Sequence, residues 1–334
     1  MVLTISLVVV AMFSLGLGAY HIPVGDVWGL LMHKIGLSNL PTEKALDDNV
    51  LFVVRMPRVL LGLLVGAALG VSGAGIQGIF RNPLADPGLI GISSGASLFA
   101  VLVIAFESLL FVGLSQLLGH YLLILGAFIG AGLTAFLVYR ISLKEGRPQV
   151  TTMLLAGIAI NGLAGAITGL MTYMATEQQL RTITFWMLGN LGGATWENVT
   201  AVAPFILIPM FCTLFFGKAL NAFALGEMQA DLLGMQTDRV KLWVVTWGTL
   251  AVGASVAVSG IIGFVGLLVP HTVRLLGGAD NRYVLMASTV MGAMVLTLAD
   301  VLSRTLAAPI ELPIGVITAL LGTPVFLYIL IKEK

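Results

Sequence analysis

The residues best suited to chemistry are few and scattered in this sequence. Its four histidines, His21, His33, His120 and His271, have no carboxylate or thiolate at ligand spacing, so no metal site is expected. The single cysteine, Cys212, lies inside an apolar run and offers neither a disulfide framework nor a thiolate site. No G-x-x-x-x-G-K-[ST] stretch occurs, and "FFGKAL" (215–220) lacks both the upstream glycine and the hydroxyl residue of a nucleotide-binding loop. Nor do a nucleophile, a base and an orienting group fall together, so no catalytic residue is assigned. An integral membrane enzyme is disfavoured on the same ground.

What remains is a chain built to sit in lipid. Of 334 residues 58% are hydrophobic and 10% charged, with mean hydropathy +1.03, whereas ordinary soluble domains carry about 25% charged residues. Lys plus Arg number 17 against 16 acids, which gives no argument for nucleic acid as a partner. A span needs about 17 to 25 apolar residues. Cutting at charge, proline and glycine clusters yields an all-α polytopic membrane protein of about ten spans, at 2–20, 58–80, 88–106, 118–139, 151–175, 199–220, 241–259, 262–279, 283–303 and 314–331. The eighth contains Pro270 and is expected to be short or broken. Residues 1–19 lack a basic leader region and read as a first span, not a removed signal.

Alternate loops then segregate charge. Arg81, Arg140, Lys144, Arg147, Lys218, Arg239, Lys241, Arg274, Arg282, Lys332 and Lys334 fall on one side, and Lys34, Lys44, Arg55, Arg58, Arg181 and Arg304 on the other. The richer side is cytoplasmic by the positive-inside bias, which puts both termini in the cytoplasm. "VGAALGVSG" (65–73) and "VGASVAVSG" (252–260) share six of nine residues at an offset of 187, which also sets Pro83 on Pro270. That suggests an inverted repeat of the second-to-fifth and seventh-to-tenth spans.

Several polar features interrupt the aliphatic text. The block "ALGEMQADLLGMQTDRVK" (224–241) combines charges with Leu225, Met228, Leu232, Leu233 and Met235, an apolar face within a wet rim. In the fifth span Gly157, Asn161, Gly165 and Gly169 share one helical stripe, with Thr168 and Thr172 beside it. Either a neighbouring helix pairs with the amide or the stripe lines a watery pathway, and both readings stand, as an unpaired amide in hydrocarbon costs about 2–7 kcal/mol. Arg55 and Arg58 before the second span, with Arg304, lie on the side poor in basic residues. They are either interfacial anchors or an outward surface for an acidic partner. Two amphipathic pieces, 24–36 and 177–193, either lie along the outer interface or form an outer gate, and in "FRNPLADPGLIG" (80–91) Asn82 is placed to cap the next helix. Arg274 is expected to snorkel.

The stretches "RMPR", "SGAGIQGIFRNPLADPGLIGISSGA", "LLAGIAI", "FWMLGNLGG", "LGEMQADLLGM", "GFVGLLVPHTVRLLGG", "LADVLSR" and "ELPIGVITALLGTPVF", in this order between about residues 12 and 331, resemble the permease subunits of ABC importers for iron-siderophores, haem and vitamin B12. The resemblance implies a single transmembrane permease domain over 1–334 in a bacterial inner membrane. It further implies a two-fold homodimer with the pathway at its centre, two ATPase subunits below and a periplasmic substrate-binding protein above. ATP and Mg would reside on the ATPase, with no cofactor on this chain. The loop at about 217–240 would seat in the ATPase through Leu225, Gly226, Met228, Ala230, Asp231, Leu232, Leu233, Gly234 and Met235. The family's outer arginines, which pair with the binding protein, map onto Arg55, Arg58 and Arg304. "TYMATEQQLRTITFWMLGNLGGATW" is most similar to haem permeases. The competing reading is an ion-coupled secondary transporter, which an inverted repeat also fits but which needs intramembrane carboxylates or broken helices coordinating an ion, of which this sequence shows few.

Overall fold

The computed structural model of the chain describes residues 2–18, 20–37, 45–107 and 111–332, so Lys44 and Lys334 lie outside the described residues. Sixteen helices follow in order: α1 (Val2–Gly16), α2 (Val24–Lys34), α3 (Ala45–Asn49), α4 (Met56–Phe80), α5 (Ile92–Phe106), α6 (Val112–Leu118), α7 (Tyr121–Ser142), α8 (Val150–Met174), α9 (Glu177–Met187), α10 (Trp196–Leu214), α11 (Gly217–Ala224), α12 (Glu227–Leu232), α13 (Thr237–Ser259), α14 (Val265–Gly277), α15 (Asn281–Thr305) and α16 (Ile314–Lys332). A two-stranded hairpin of β1 (Leu143–Lys144) and β2 (Arg147–Pro148) joins α7 to α8. Each of the ten predicted spans finds its helix in order. Among the described residues six helical stretches are by length and composition long and apolar enough to cross a bilayer, and four more, including α1, α5 and α14, are shorter apolar helices.

Two boundaries move for identifiable reasons. The second predicted span, 58–80, belongs to one helical run from Leu46 to Phe80 that passes through a π-helical turn at Val50–Arg55. Pro57 cannot donate to the turn before it and its ring crowds that turn, so the helix widens there instead of starting afresh. The eighth span, α14, is 13 residues long and carries Pro270 within it, as expected from the proline. Amphipathic pieces 24–36 and 177–193 form α2 and α9. The latter opens on a reciprocal cap between Thr176 and Gln179.

The nine-residue match between 65–73 and 252–260 does not join equivalent positions. Its first copy is mid-helix in α4, where Gly73 backs onto Gly266, whereas the second runs off the end of α13 at Gly260, φ +69°. Pro83 lies in a turn and Pro270 inside α14.

The core is centred on α4, which packs on α15, α13, α14 and α10. Its crossing with α15 is a backbone-to-backbone contact. A Cβ on Gly66 would stand 2.3 Å from the Gly292 carbonyl oxygen, and one on Gly70 2.1 Å from that of Ser288. Small residues permit this approach where lipid supplies no hydrophobic drive. Gly70→Ala is therefore expected to cost about 1–3 kcal/mol by overpacking, seen as a lower melting temperature of the detergent-purified protein. Gly132→Ala on the exposed face of α7, with no atom within 4 Å of the new methyl, should leave that temperature unchanged or raise it. Equal melting of the two variants would refute the crossing as described.

Candidate functional site

Between α10 and α13 the chain folds into two short helices at an angle. Gly226, at φ +120°, makes the bend between α11 and α12, a conformation open to glycine. Leu220 and Phe223 of α11 and Ala230 of α12 are buried inward. On the other side Leu225, Met228, Leu232 and Leu233 stand 66–82% exposed. Four large apolar side chains on one turn-rich projection, rimmed by Glu227, Asp231 and Arg239, form the kind of patch that marks an interaction site. Met235, expected on that face, instead packs partly buried against the core. Gly234 is exposed at φ +82° and closes α12.

The projection is held from three directions. Asp231 accepts from the Thr237 hydroxyl at 2.6 Å. Asn221 of α11 donates to Asp280 at 2.7 Å and accepts from the Asn281 backbone N–H at 2.7 Å, tying α11 to the start of α15. The Asn221 amide and the Arg282 N–H together hold the Asp280 carboxyl below its ordinary pKa. Lys241, which sequence alone placed among the loop charges, is 1% exposed. Its ammonium donates to the Pro148 carbonyl at 3.0 Å and to Glu227.

The arginine trio is brought together, but inward. Arg55, Arg58 and Arg304 are 5–6% exposed, so the expectation that Arg55 and Arg58 face outward fails. Burial of each charge demands partners, and the structure supplies them. Arg58 pairs with Asp300 at 2.9 Å and with Glu311 at 2.8 Å. Arg304 reaches Asp300 at 3.0 Å, the Leu17 carbonyl at 2.9 Å and the Ser14 hydroxyl at 2.8 Å. Arg55 donates to the carbonyls of Leu15 and Gly16 at 2.6 and 2.8 Å, and to that of Tyr20. The last turn of α1 contains no basic residue, and its orphan carbonyls are closed by guanidinium groups from the π-helical turn before α4 and from α15.

The stripe on α8 divides at mid-helix. A Cβ on Gly157 would lie 1.9 Å from the Leu89 carbonyl oxygen, and Asn161 donates to the Gly88 carbonyl at 3.1 Å. These two residues seat the 3₁₀ turn Pro87–Ile90, so Gly157 is a packing residue and not a pathway lining. Asp86, not Asn82, caps that turn, accepting from the Gly88 N–H at 2.7 Å, whereas Asn82 closes its own turn on Leu84. Farther along, Gly165, Thr168, Gly169 and Thr172 do line a cleft of about 670 Å³, facing Asp86, Ser93 and Ser94. The Thr168 hydroxyl oxygen is buried without a hydrogen-bond partner, while Thr172 donates to the Thr168 carbonyl at 2.8 Å. Arg274 bonds Gln77 within the bundle instead of snorkelling.

A two-helix apolar projection, a polar cleft in a bundle of membrane-length helices and a charge knot at one end describe a conduit with a handle. Comparison with known proteins gives that description a family, since residues 6–332 match the FecCD transport family. The chain belongs to the FecCD transport family. Among curated relatives of this FecCD chain, the hemin transport system permease HmuU of Yersinia pestis is 41% identical over 99% of this chain and 95% of its own. The cobalamin import permease BtuC of Halobacterium salinarum is 39% identical over 83% and 72%. A solved metal-chelate type ABC transporter, captured facing inward, superposes with a TM-score of 0.85 at 32% identity, covering 99% of this chain and 97% of that one. As a FecCD protein the chain is a multi-pass permease subunit of an ABC importer of the metal-chelate, haem and vitamin B12 type, and not an enzyme.

Sequence reasoning missed the β1–β2 hairpin and the burial of Lys241. Each was hidden in a polar stretch, and the only available signal was a lysine at the first residue of a predicted span.

Proposed function

We propose that this permease forms the passage for a bulky iron-containing or corrin-type ligand, haem being the favoured one, delivered by a periplasmic binding protein and driven by a separate ATPase. The carrying observation is the exposed Leu225, Met228, Leu232 and Leu233 on an otherwise well-bonded projection. Water alone does not account for such a patch, and the groove of an ATPase does. Gly226, Ala230, Asp231, Gly234 and Met235 then shape and brace the projection. The patch sits on the side carrying most basic residues, which is the cytoplasmic side, with both termini.

Two copies related by a two-fold axis would complete the passage across α8. It is the least buried of the six long helices, with 22% of its apolar stretch covered. Its Gly165, Thr168 and Thr172 would face the cargo, and weak, polar contacts suit a conduit that must release what it receives. Haem is favoured because the hemin permease relative is 41% identical, against 39% for the cobalamin permease and 36% for the Fe(3+)-citrate permease.

Proteoliposomes holding this permease and its ATPase, with ATP inside, no ion gradient and haem-loaded binding protein outside, should accumulate haem. An ion-coupled carrier would be silent under those conditions, and uptake that needs a gradient and ignores ATP would overturn the reading. Uptake of cobalamin in place of haem would retain the machine and change its cargo.

A further inference from the structure

We infer that Lys241 ties the coupling helix α12 to the β1–β2 hairpin, so that α8, the cleft-lining helix, is displaced together with α12. The inference deepens the proposed ATPase coupling and rests on it. Lys241 is a buried cation in the second turn of α13, and burying a charge without partners is costly. The two acceptors of its ammonium belong to different bodies. Glu227 is the first residue of α12, and Pro148 is the last residue of β2. From Pro148 only Gln149 intervenes before α8 begins at Val150.

The hairpin is a stiff intermediary. Leu143 pairs with Pro148 and Lys144 with Arg147, and the Gln149 N–H donates to the Ser142 carbonyl at 3.0 Å, closing the base between α7 and α8. Arg147 adds a second, looser connection, 4.0 Å from Asp231 of α12 and 3.8 Å from Asp238 of α13. Those side chains are 39–67% exposed, and pairs of that kind contribute little singly. The buried lysine is thus the tie, and Arg147 limits sliding around it. A push on the exposed leucines of α12 passes through Glu227, Lys241 and Pro148 to the base of the helix whose upper half carries Thr168 and Thr172. Lys241 acts here as a positioning residue.

Coupling requires a contiguous element that both ends bias, and the test reads that coupling directly as haem taken up per ATP hydrolysed in the reconstituted complex. Lys241→Met should retain the ATPase in a pull-down and keep hydrolysing ATP, while uptake per ATP falls by about tenfold, within the range of ordinary coupling energies. Lys241→Arg, which keeps the charge and the donors, should recover most of the ratio. An unchanged ratio in Lys241→Met would overturn the proposal. Should that variant not fold, Glu227→Ala decides, because it takes the carboxylate from the α12 end of the tie and leaves Lys241 its Pro148 acceptor. With the ATPase retained in the pull-down, uptake per ATP should fall, and an unchanged ratio would overturn the tie. Failure of the unmodified complex to import with ATP would remove the importer reading and the tie together, and is recognised because it precedes any substitution.

Discussion

Replacing Leu232 and Leu233 together with aspartate should release the ATPase from the permease in a pull-down from detergent. Both side chains are largely exposed, at 82% and 66%, so the folded permease loses no core contact when they become polar. All of the effect therefore falls on the complex. Fully burying a leucine is worth about 1.5–3 kcal/mol. Two lost leucines, with two carboxylates now carried into an apolar groove, amount to at least ~3 kcal/mol, or more than a hundredfold in affinity. The expected outcome is loss of the ATPase band with unchanged permease yield and melting. Co-purification at the wild-type ratio would mean that α12 is not the seat. Leu232→Ala with Leu233→Ala, retaining the apolar character but not the area, should fall between the two.

The second large effect is expected at the opposite end of the bundle. Asp300 is 2% exposed and lies between Arg58 at 2.9 Å and Arg304 at 3.0 Å. Asp300→Ala leaves two buried guanidinium groups sharing one remaining carboxylate, that of Glu311, which the structure places on Arg58 alone. Removing one member of a buried ion pair typically costs about 3–5 kcal/mol, so a sharp fall in melting temperature and yield is predicted. The double variant Asp300→Leu with Arg58→Met, which removes charge from both sides, should recover a large part of the loss, because an apolar pair of similar size is often neutral. A single variant as stable as the parent would show that the trio is not structural. The same geometry makes Arg58→Glu a folding lesion first and a docking lesion second, so its effect on the binding protein is interpretable only where the melting temperature is preserved.

How far the sequence could be read depended on whether a residue's role was local. Helices built from runs such as "VLLGLLVGAALGVSGAGIQGIF" declare themselves by length and hydropathy, and the projection at 217–240 by its mixture of leucines and charges. Pro270 marked α14 as short, again a local effect. The arginines were misread because their partners lie far away in the chain. Ser14 is 290 positions from Arg304, and Asp300 is 242 from Arg58. A charged residue before a span looks the same in one dimension whether it faces water or closes another helix's end. The α8 stripe shows a middle case. Its periodicity was visible, but that Gly157 and Asn161 seat the Pro87–Ile90 turn while Gly165 and Thr168 border a cleft depends on where that turn folds back. The 65–73 and 252–260 match was visible as text, but that one copy sits mid-helix in α4 and the other at the end of α13 depends on where each helix stops.

The glycine crossing of α4 and α15 has a mechanical corollary. At Gly66, Gly70 and Gly292 carbonyls of each helix occupy the space where the other's Cβ atoms would be, so little side chain is present there to change rotamer and absorb a shift. The two helices therefore behave as a keel, a rod pair too tightly seated to slide. The flank bearing α8 is by contrast loosely covered, so any rearrangement of this bundle meets least resistance there and most along that line.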